Sequence, residues 1–305
     1  MYMTIVLCGG SGFIGTHLSK KLIEKGYKVV CVDVAPPSFT HEHLFYISCD
    51  LSKQTVPYDA FEGVDAVINL AGKSIVGKWT EEFKKQIRLS RVNSTINVVQ
   101  TIENTKQRPP VFINASATGF YGDTKDTIAT EQSELGESFL ADVVFDWEQE
   151  AKKATEYGVR VVCIRTAPVL GTGGFLHVIR SYGMIGFFMK LSKKDFWMSW
   201  IHQEDLVNVY LFAIETQTLQ GVVNASSPNS VKHSEFMKAL STIFKKPLWG
   251  SVSARIMRWK YGDLYDELIR NQQVFPKRLI DKGFSFKYPT LLEALQAIKH
   301  YEKNR

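Results

Sequence analysis

The amino-acid sequence predicts an α/β fold: a doubly wound parallel sheet with a smaller, mainly helical C-terminal lobe. Three observations carry the prediction. Short runs that are apolar throughout alternate with longer amphipathic patterns over the first half of the chain, as expected of strands buried on both faces by crossover helices. A glycine-rich turn, Gly9 to Gly15, joins the first strand to the first helix. After Arg165 the alternation gives way to apolar stretches interrupted by glycine, then to helical periodicity.

In order, the strand runs fall at 4–8, 28–33, 44–48, 66–70, 111–115 and 159–165, and the helical patterns at 13–25, 80–103 and 139–156. Gly26 and Gly158 follow the first and third helices, where a left-handed cap is wanted. Thr80 caps the second, with Glu81 and Glu82 in its first turn favoured by the helix dipole. Gly171, Gly173 and Gly174 make a flexible turn, and Gly183 and Gly186 interrupt a stretch rich in Phe and Met. A helix over 205–215, capped by Asp205, and a strand over 221–225 return to the sheet. Residues 1–170, with 201–225, thus form the sheet domain, and 171–200 and 226–305 the lobe.

A chain of 305 residues is long enough for a large core. Its net charge of +6 is spread in pairs such as Lys20–Lys21, Lys84–Lys85 and Lys152–Lys153 rather than in a basic run. This argues against a nucleic acid or a membrane as partner and suits a ligand that carries phosphates. Cys8, Cys31, Cys49 and Cys163 lie in or beside β-rich runs without zinc-ligand or redox-pair spacing, so reduced thiols and no metal are expected. Residues 3–8 read as a strand rather than a cleavable leader, and no run of about 18 apolar residues occurs, which makes the cytoplasm the default.

The segment Cys8-Gly-Gly-Ser-Gly-Phe-Ile-Gly15 has the spacing G-x-x-G-x-x-G between an apolar strand and an amphipathic helix. Gly9 permits the tight turn, Gly12 lets backbone approach a pyrophosphate, and Gly15 allows close helix–strand packing. The helix start at Phe13, Ile14 and Gly15 offers free N–H groups to the anion. This is a Rossmann-type dinucleotide site. Asp33 ends the second strand about twenty residues on, where a carboxylate binds an adenosine ribose and repels a 2′-phosphate, so the cofactor is NAD or NADP with NAD favoured. Asp50 and Leu51 are placed to contact the adenine, and Leu70, Ala71 and Gly72 to pass beneath the cofactor.

Together these residues resemble the extended short-chain dehydrogenase/reductase superfamily, the nucleotide-sugar epimerase and dehydratase group. The markers are Gly9–Gly15, Asp50-Leu51, Asn69–Gly72, Asn93, Tyr121-Gly122, Glu131 and Arg165. More narrowly, Ser116–Gly122, Phe139–Ala141, Trp147-Glu148, Arg165–Gly171, Trp200–Asp205 and Phe275–Phe284 resemble an epimerase-family branch of unknown substrate that carries its own C-terminal domain of unknown function. The resemblance implies cofactor contacts at Asn93 and Arg165 as well. Members commonly carry Arg, a pattern associated with NADP, where this chain has Val34.

Superfamily catalysis uses a Tyr-x-x-x-Lys pair plus a Ser or Thr, the lysine lowering the tyrosine pKa so that it shuttles a proton. Here the tyrosine slot falls on Phe139 or Leu140, the lysine slot on Val143 or Val144, and the hydroxyl slot on Ala117. The nearest substitutes are Ser116, Thr118 and Tyr121, each with an equally plain structural reading. Asp142, Asp146 and Glu148 read as a solvated helix face, and His202 as packing or capping. Trp and Phe residues around 187–200 either line a substrate pocket or fill the lobe's core. The expectation is an NAD(P)-dependent oxidoreductase or epimerase acting on a small polar substrate, with a non-catalytic redox sensor responding to an effector as the alternative. A homodimer is compatible with either.

Overall fold

The computed structural model describes residues 3–174, 176, 179 and 186–303; Gly183 lies outside them. Seven parallel strands form the central sheet: β1 (Thr4–Cys8), β2 (Lys28–Asp33), β3 (Leu44–Ser48), β4 (Ala66–Asn69), β5 (Val111–Ala117), β6 (Arg160–Thr166) and β7 (Gly221–Ala225). Their order is β7-β6-β5-β4-β1-β2-β3. The chain steps outward from β1 to β3, then reverses and builds β4 onward on the other side. That reversal opens a crevice between β1 and β4 at the carboxyl ends of the strands, where open α/β sheets take ligands.

Side-chain alternation divides the core in two. On one face Ile5, Leu7, Ile68, Ile113 and Ile164 pack against Leu18 and Leu22 of α1 (Phe13–Glu24) and against Leu206, Tyr210 and Ile214 of α4 (Gln203–Glu215). On the other, Val6, Cys8, Val67, Phe112 and Cys163 meet Val98 and Ile102 of α2 (Glu81–Asn104) and Ala151 of α3 (Phe139–Lys152). Full burial of each such aliphatic side chain contributes about 1.5–3 kcal/mol. The sheet is therefore held from both sides, which accounts for strands without polar alternation.

Helix ends follow the local chemistry. Thr80 Oγ1 accepts from Phe83 N at 3.2 Å, and Ser138 Oγ from Ala141 N at 3.0 Å. The third helix is shorter than its pattern predicts: α3 ends at Lys152 and tightens into a 3₁₀ turn over Lys153–Tyr157, closed by Gly158 at φ +80°. The cap of α4 is also corrected. His202 Nδ1 accepts from Glu204 N at 3.2 Å, whereas Asp205 lies inside the first turn and accepts from Lys287 N at 2.7 Å and Tyr288 N at 3.0 Å. A carboxylate that serves a distant loop is not available to its own helix.

The rest of the chain contains α5 (His233–Phe244), α6 (Ala254–Tyr261), α7 (Leu264–Leu268), α8 (Lys277–Asp281) and α9 (Leu291–Lys303); α8 packs Leu279 into the core of the sheet, beside β7. Short ladders pair Phe188–Lys190 with Leu248–Ser251 and Trp197–Met198 with Val231–Lys232, so the lobe is less purely helical than its periodicity suggests. Phe188, Phe196, Met198 and Trp200 are buried with Phe236 and Leu240 of α5. Of the aromatic residues of this stretch, Phe188, Phe196 and Trp200 thus fill the lobe's core, whereas Phe187 packs on the exposed Trp249 and Trp197 is half-buried beneath Lys232. Among the described residues, no helix is long and apolar enough to cross a membrane.

Candidate functional site

The crevice begins at the turn after β1. Gly9 adopts φ +75°, and a Cβ there would lie 2.7 Å from Ala71 N, so the turn sits directly against the end of β4. Gly12 is the N-cap of α1 and provides no side-chain cap; its own N–H donates to Gly9 O at 3.3 Å. The first turn of α1 carries no acidic residue. Among the described residues, a Cβ on Gly12 would meet only Gly9 O, at 3.4 Å. Uncapped N–H groups at such a helix start form an anion cradle.

Asp33 closes the β2 side. Its Oδ2 accepts from Ser11 N at 3.0 Å and its Oδ1 from Val34 N at 2.7 Å, which fixes the carboxylate at the loop's edge. Ser11 Oγ donates to Ala35 O at 2.6 Å. Beyond it, Asp50 accepts from Ser52 N and Oγ and pairs with Lys53 at 2.8 Å. Those bonds, Lys53 foremost, hold its carboxyl below the usual range. Helix α2 pins this corner: Asn93 Nδ2 donates to Ser52 O at 3.4 Å and Asn97 Nδ2 to Leu51 O at 2.8 Å. Asn93 therefore supports the loop at Asp50 and Leu51, and Asn97, which the sequence reading did not single out, shares the task.

On the far side of β1, Asn69 is buried and bonded to Thr95 and Asn114, and its Oδ1 accepts from Ala71 N at 3.1 Å. This ties the segment that carries Leu70, Ala71 and Gly72 to the end of β4. Gly72 lies against Arg91 of α2. The turn after β6 reaches back over the helix start, with Gly173 against the Phe13 ring.

Ser116 and Thr118 follow at the end of β5, both buried. Ser116 Oγ donates to Glu148 Oε1 at 2.5 Å, and Thr118 Oγ1 to Gln272 Oε1 of the lobe at 3.2 Å. Glu148 is buried rather than part of a solvated face, and grips Arg165 through Nε at 2.8 Å and Nη2 at 2.7 Å. Arg165 Nη1 donates to Tyr121 Oη at 3.0 Å, and Tyr121 Oη donates to Asn224 Oδ1 at 2.6 Å. The guanidinium also covers the Phe120 ring at 3.3 Å. Burial pushes the Tyr121 phenol up to about 12 despite Arg165. Every one of these groups has a protein partner. Tyr121 and Arg165 are thus held in a buried network that joins α3, β6 and Asn224 of β7.

The α3 slots hold no proton carrier. Phe139 packs edge-on against Trp79 at 5.4 Å, Leu140 meets the same cluster, and Val143 and Val144 are buried. Of the other acids on α3, Asp146 pairs with Arg88 and Asp142 is exposed. The segment over Trp79 is tied to the lobe by Trp79 N donating to Tyr261 O at 3.0 Å. Thr118 and Gln272, like Trp79 and Tyr261, lie far apart in sequence, and only the folded chain brings each pair together.

Comparison with known proteins places this arrangement. The description "NAD dependent epimerase/dehydratase family" matches residues 5–225, and a domain of unknown function, DUF1731, matches residues 252–298. The chain is similar to the epimerase family protein YfhF of Bacillus subtilis (strain 168), at 32% identity over 97% of this chain and 98% of that protein. It is 33% identical to an Arabidopsis thaliana protein named epimerase family protein SDR39U1 homolog, chloroplastic, over 97% of this chain and 86% of the other. Among solved structures, the human epimerase family protein SDR39U1 (isoform 2), crystallised with NADPH, matches with a TM-score of 0.86 at 25% identity, covering 98% of this chain and 99% of that one.

Proposed function

The chain belongs to the NAD dependent epimerase/dehydratase family, and on that premise we propose that it is an NAD(P)-binding oxidoreductase or epimerase acting on a small polar substrate. The observation that carries the reading is the cradle at the start of α1: a helix N-terminus without a side-chain cap, where a Cβ on Gly12 would meet, among the described residues, only Gly9 O. Gly9, Gly12 and Gly15 with the N–H groups of Phe13 and Ile14 hold the pyrophosphate. Asp33 takes the adenosine ribose and disfavours a 2′-phosphate, so NAD is preferred to NADP. Asp50 and Leu51 border the adenine, and Leu70, Ala71 and Gly72 support the other half. The bound dinucleotide supplies the hydride carrier. Ser116 and Thr118, at the end of β5, offer hydroxyls to a substrate oxygen once Glu148 and Gln272 yield a bond.

A second reading, a redox sensor without turnover, draws support from the apolar side chains at Phe139, Leu140, Val143 and Val144, none of which transfers a proton. Thermal melts with NAD⁺, NADH, NADP⁺ and NADPH test the shared premise. Stabilisation by the unphosphorylated pair in preference to the phosphorylated one is expected; no shift with any of the four at millimolar concentration overturns it. Loss of NADH fluorescence across aldehydes, ketones and nucleotide sugars supports the enzyme. Uniform inertness with intact NADH binding supports the sensor.

A further inference from the structure

The charge of this chain is unevenly shared. Residues 186–200 and 226–262 hold ten Lys and Arg against two Asp and Glu, a net +8, which leaves the remainder of the chain at −2. Along the sequence these cations fall in scattered pairs. The fold collects several of them around an exposed apolar surface, which reverses the expectation drawn from their spacing.

Helix α6 turns Met257 inward, with Ala254 and Tyr261, against Leu191 and Tyr265. Its other side carries Ile256 and Trp259, 62% and 76% exposed, which at three residues apart are neighbours on one helix face. Arg255 and Lys260 beside them are exposed as well. Just before the helix, Trp249 of the Leu248–Ser251 strand is 65% exposed and rests on Phe187 at 5.3 Å. Lys190 is the partner of Ser251 in that ladder, and Lys246 stands over the Phe188 ring at 5.9 Å. The acids that follow α6 are paired already, Asp263 with Lys84 and Asp266 with Arg258. Two tryptophans and an isoleucine are thus held in water within eleven residues, among cations.

Large apolar side chains grouped on a surface mark a contact. The charge says with what: a net +8 repels a second copy of itself and attracts an anionic partner. The residue types narrow the choice. Eight of the ten cations are lysine, which protein interfaces avoid. A nucleic acid stacks on indole rings but gains nothing from Ile256. An anionic bilayer uses all three kinds of group, with Ile256 at the acyl boundary, indoles at headgroup level and lysines against the lipid charge. We propose that Trp249, Ile256 and Trp259, with Lys190, Lys246, Arg255 and Lys260, form a docking surface by which the chain lies on an anionic lipid bilayer without crossing it.

The test is sedimentation of the full chain with vesicles of phosphatidylglycerol and phosphatidylcholine in equal parts, or of phosphatidylcholine alone. The mixed vesicles are expected to bind at least about tenfold more tightly, and less so as salt rises. Tryptophan emission should shift to shorter wavelength on binding and be quenched by brominated acyl chains, because Trp249 and Trp259 are the exposed indoles. Trp249→Ser with Trp259→Ser should weaken binding about tenfold or more and abolish the shift, with the melting temperature within about 2 °C of wild type. Arg255→Glu with Lys260→Glu, which keeps both indoles should the first variant fold poorly, should also weaken binding about tenfold or more. Failure to sediment with the mixed vesicles, equal binding to both kinds, or full binding by both variants overturns the inference. So does tighter binding to an oligothymidine at the same salt, or sedimentation without an emission shift.

Discussion

Glu148 and Arg165 form a two-pronged ion pair, Nε to Oε1 at 2.8 Å and Nη2 to Oε2 at 2.7 Å, with side chains 8% and 4% exposed. The pair joins α3 to β6 and, through Ser116 and Tyr121, to β5. Breaking a buried pair leaves one charge uncompensated, which costs about 3–5 kcal/mol, whereas replacing both partners with apolar groups costs far less. Glu148→Gln is therefore expected to lower the urea midpoint severely, and Glu148→Met with Arg165→Met to recover most of the loss. If Glu148→Gln unfolds at the wild-type midpoint, the pair is not structural.

Gly12 and Gly15 separate binding from folding. A Cβ at Gly15 would meet Gly9 O at 2.5 Å and Gly10 Cα at 2.6 Å, both backbone atoms that cannot swing away. Gly15→Ala should lower stability by about 1–3 kcal/mol. Gly12 has only Gly9 O at 3.4 Å, so Gly12→Ala should stay within about 1 kcal/mol of wild type yet bind NADH at least tenfold more weakly. Melting curves without ligand and a fluorescence titration read the two effects apart.

The same contrast explains what the sequence could disclose. Strands β1 to β6 and their helices follow from apolar runs and periodicities that act within a few residues, and Gly9, Gly12 and Gly15 stand in one such local unit. Asp205 was read as a cap because an acid before a helix normally caps it. Lys287 and Tyr288, which claim its carboxylate, lie some eighty residues downstream and leave no mark near it. Glu148 reads as a solvated residue until β6 brings Arg165 beside it. What local chemistry decides was legible; what long-range pairing decides was not.

His202 and His233 give the fold an acid dependence. Burial lowers both from 6.5 to about 4. His202 Nδ1 accepts the capping bond from Glu204 N, and His233 Nε2 accepts from Leu191 N at 2.9 Å. The unfolded chain binds these protons more readily, so the stability is complete above about pH 6.5 and is lost as the pH falls towards 4. At pH 5 the loss is on the order of 2 kcal/mol for each residue. His202→Asn retains an acceptor for the cap without the titration. It should shrink the difference between urea midpoints at pH 7.5 and pH 5 by about half, since His233 still titrates, and an unchanged difference would remove His202 from the account.

Tyr121→Phe tests whether that phenol does chemistry. Its oxygen accepts from Arg165 at 3.0 Å and donates to Asn224 Oδ1 at 2.6 Å, inside the protein. Deleting it leaves a buried guanidinium N–H and a buried amide oxygen each one bond short, a loss of about 1–3 kcal/mol. The melting temperature should therefore fall. Affinity for NADH, and any turnover measured below the new melting range, should stay within about twofold of wild type, because both hydrogen bonds of that oxygen are made within the protein. A variant that keeps its stability but loses turnover would make Tyr121 the proton carrier after all. It would also require Arg165 to release it, since a phenol held near 12 and bonded on both sides has no proton to spare at neutral pH.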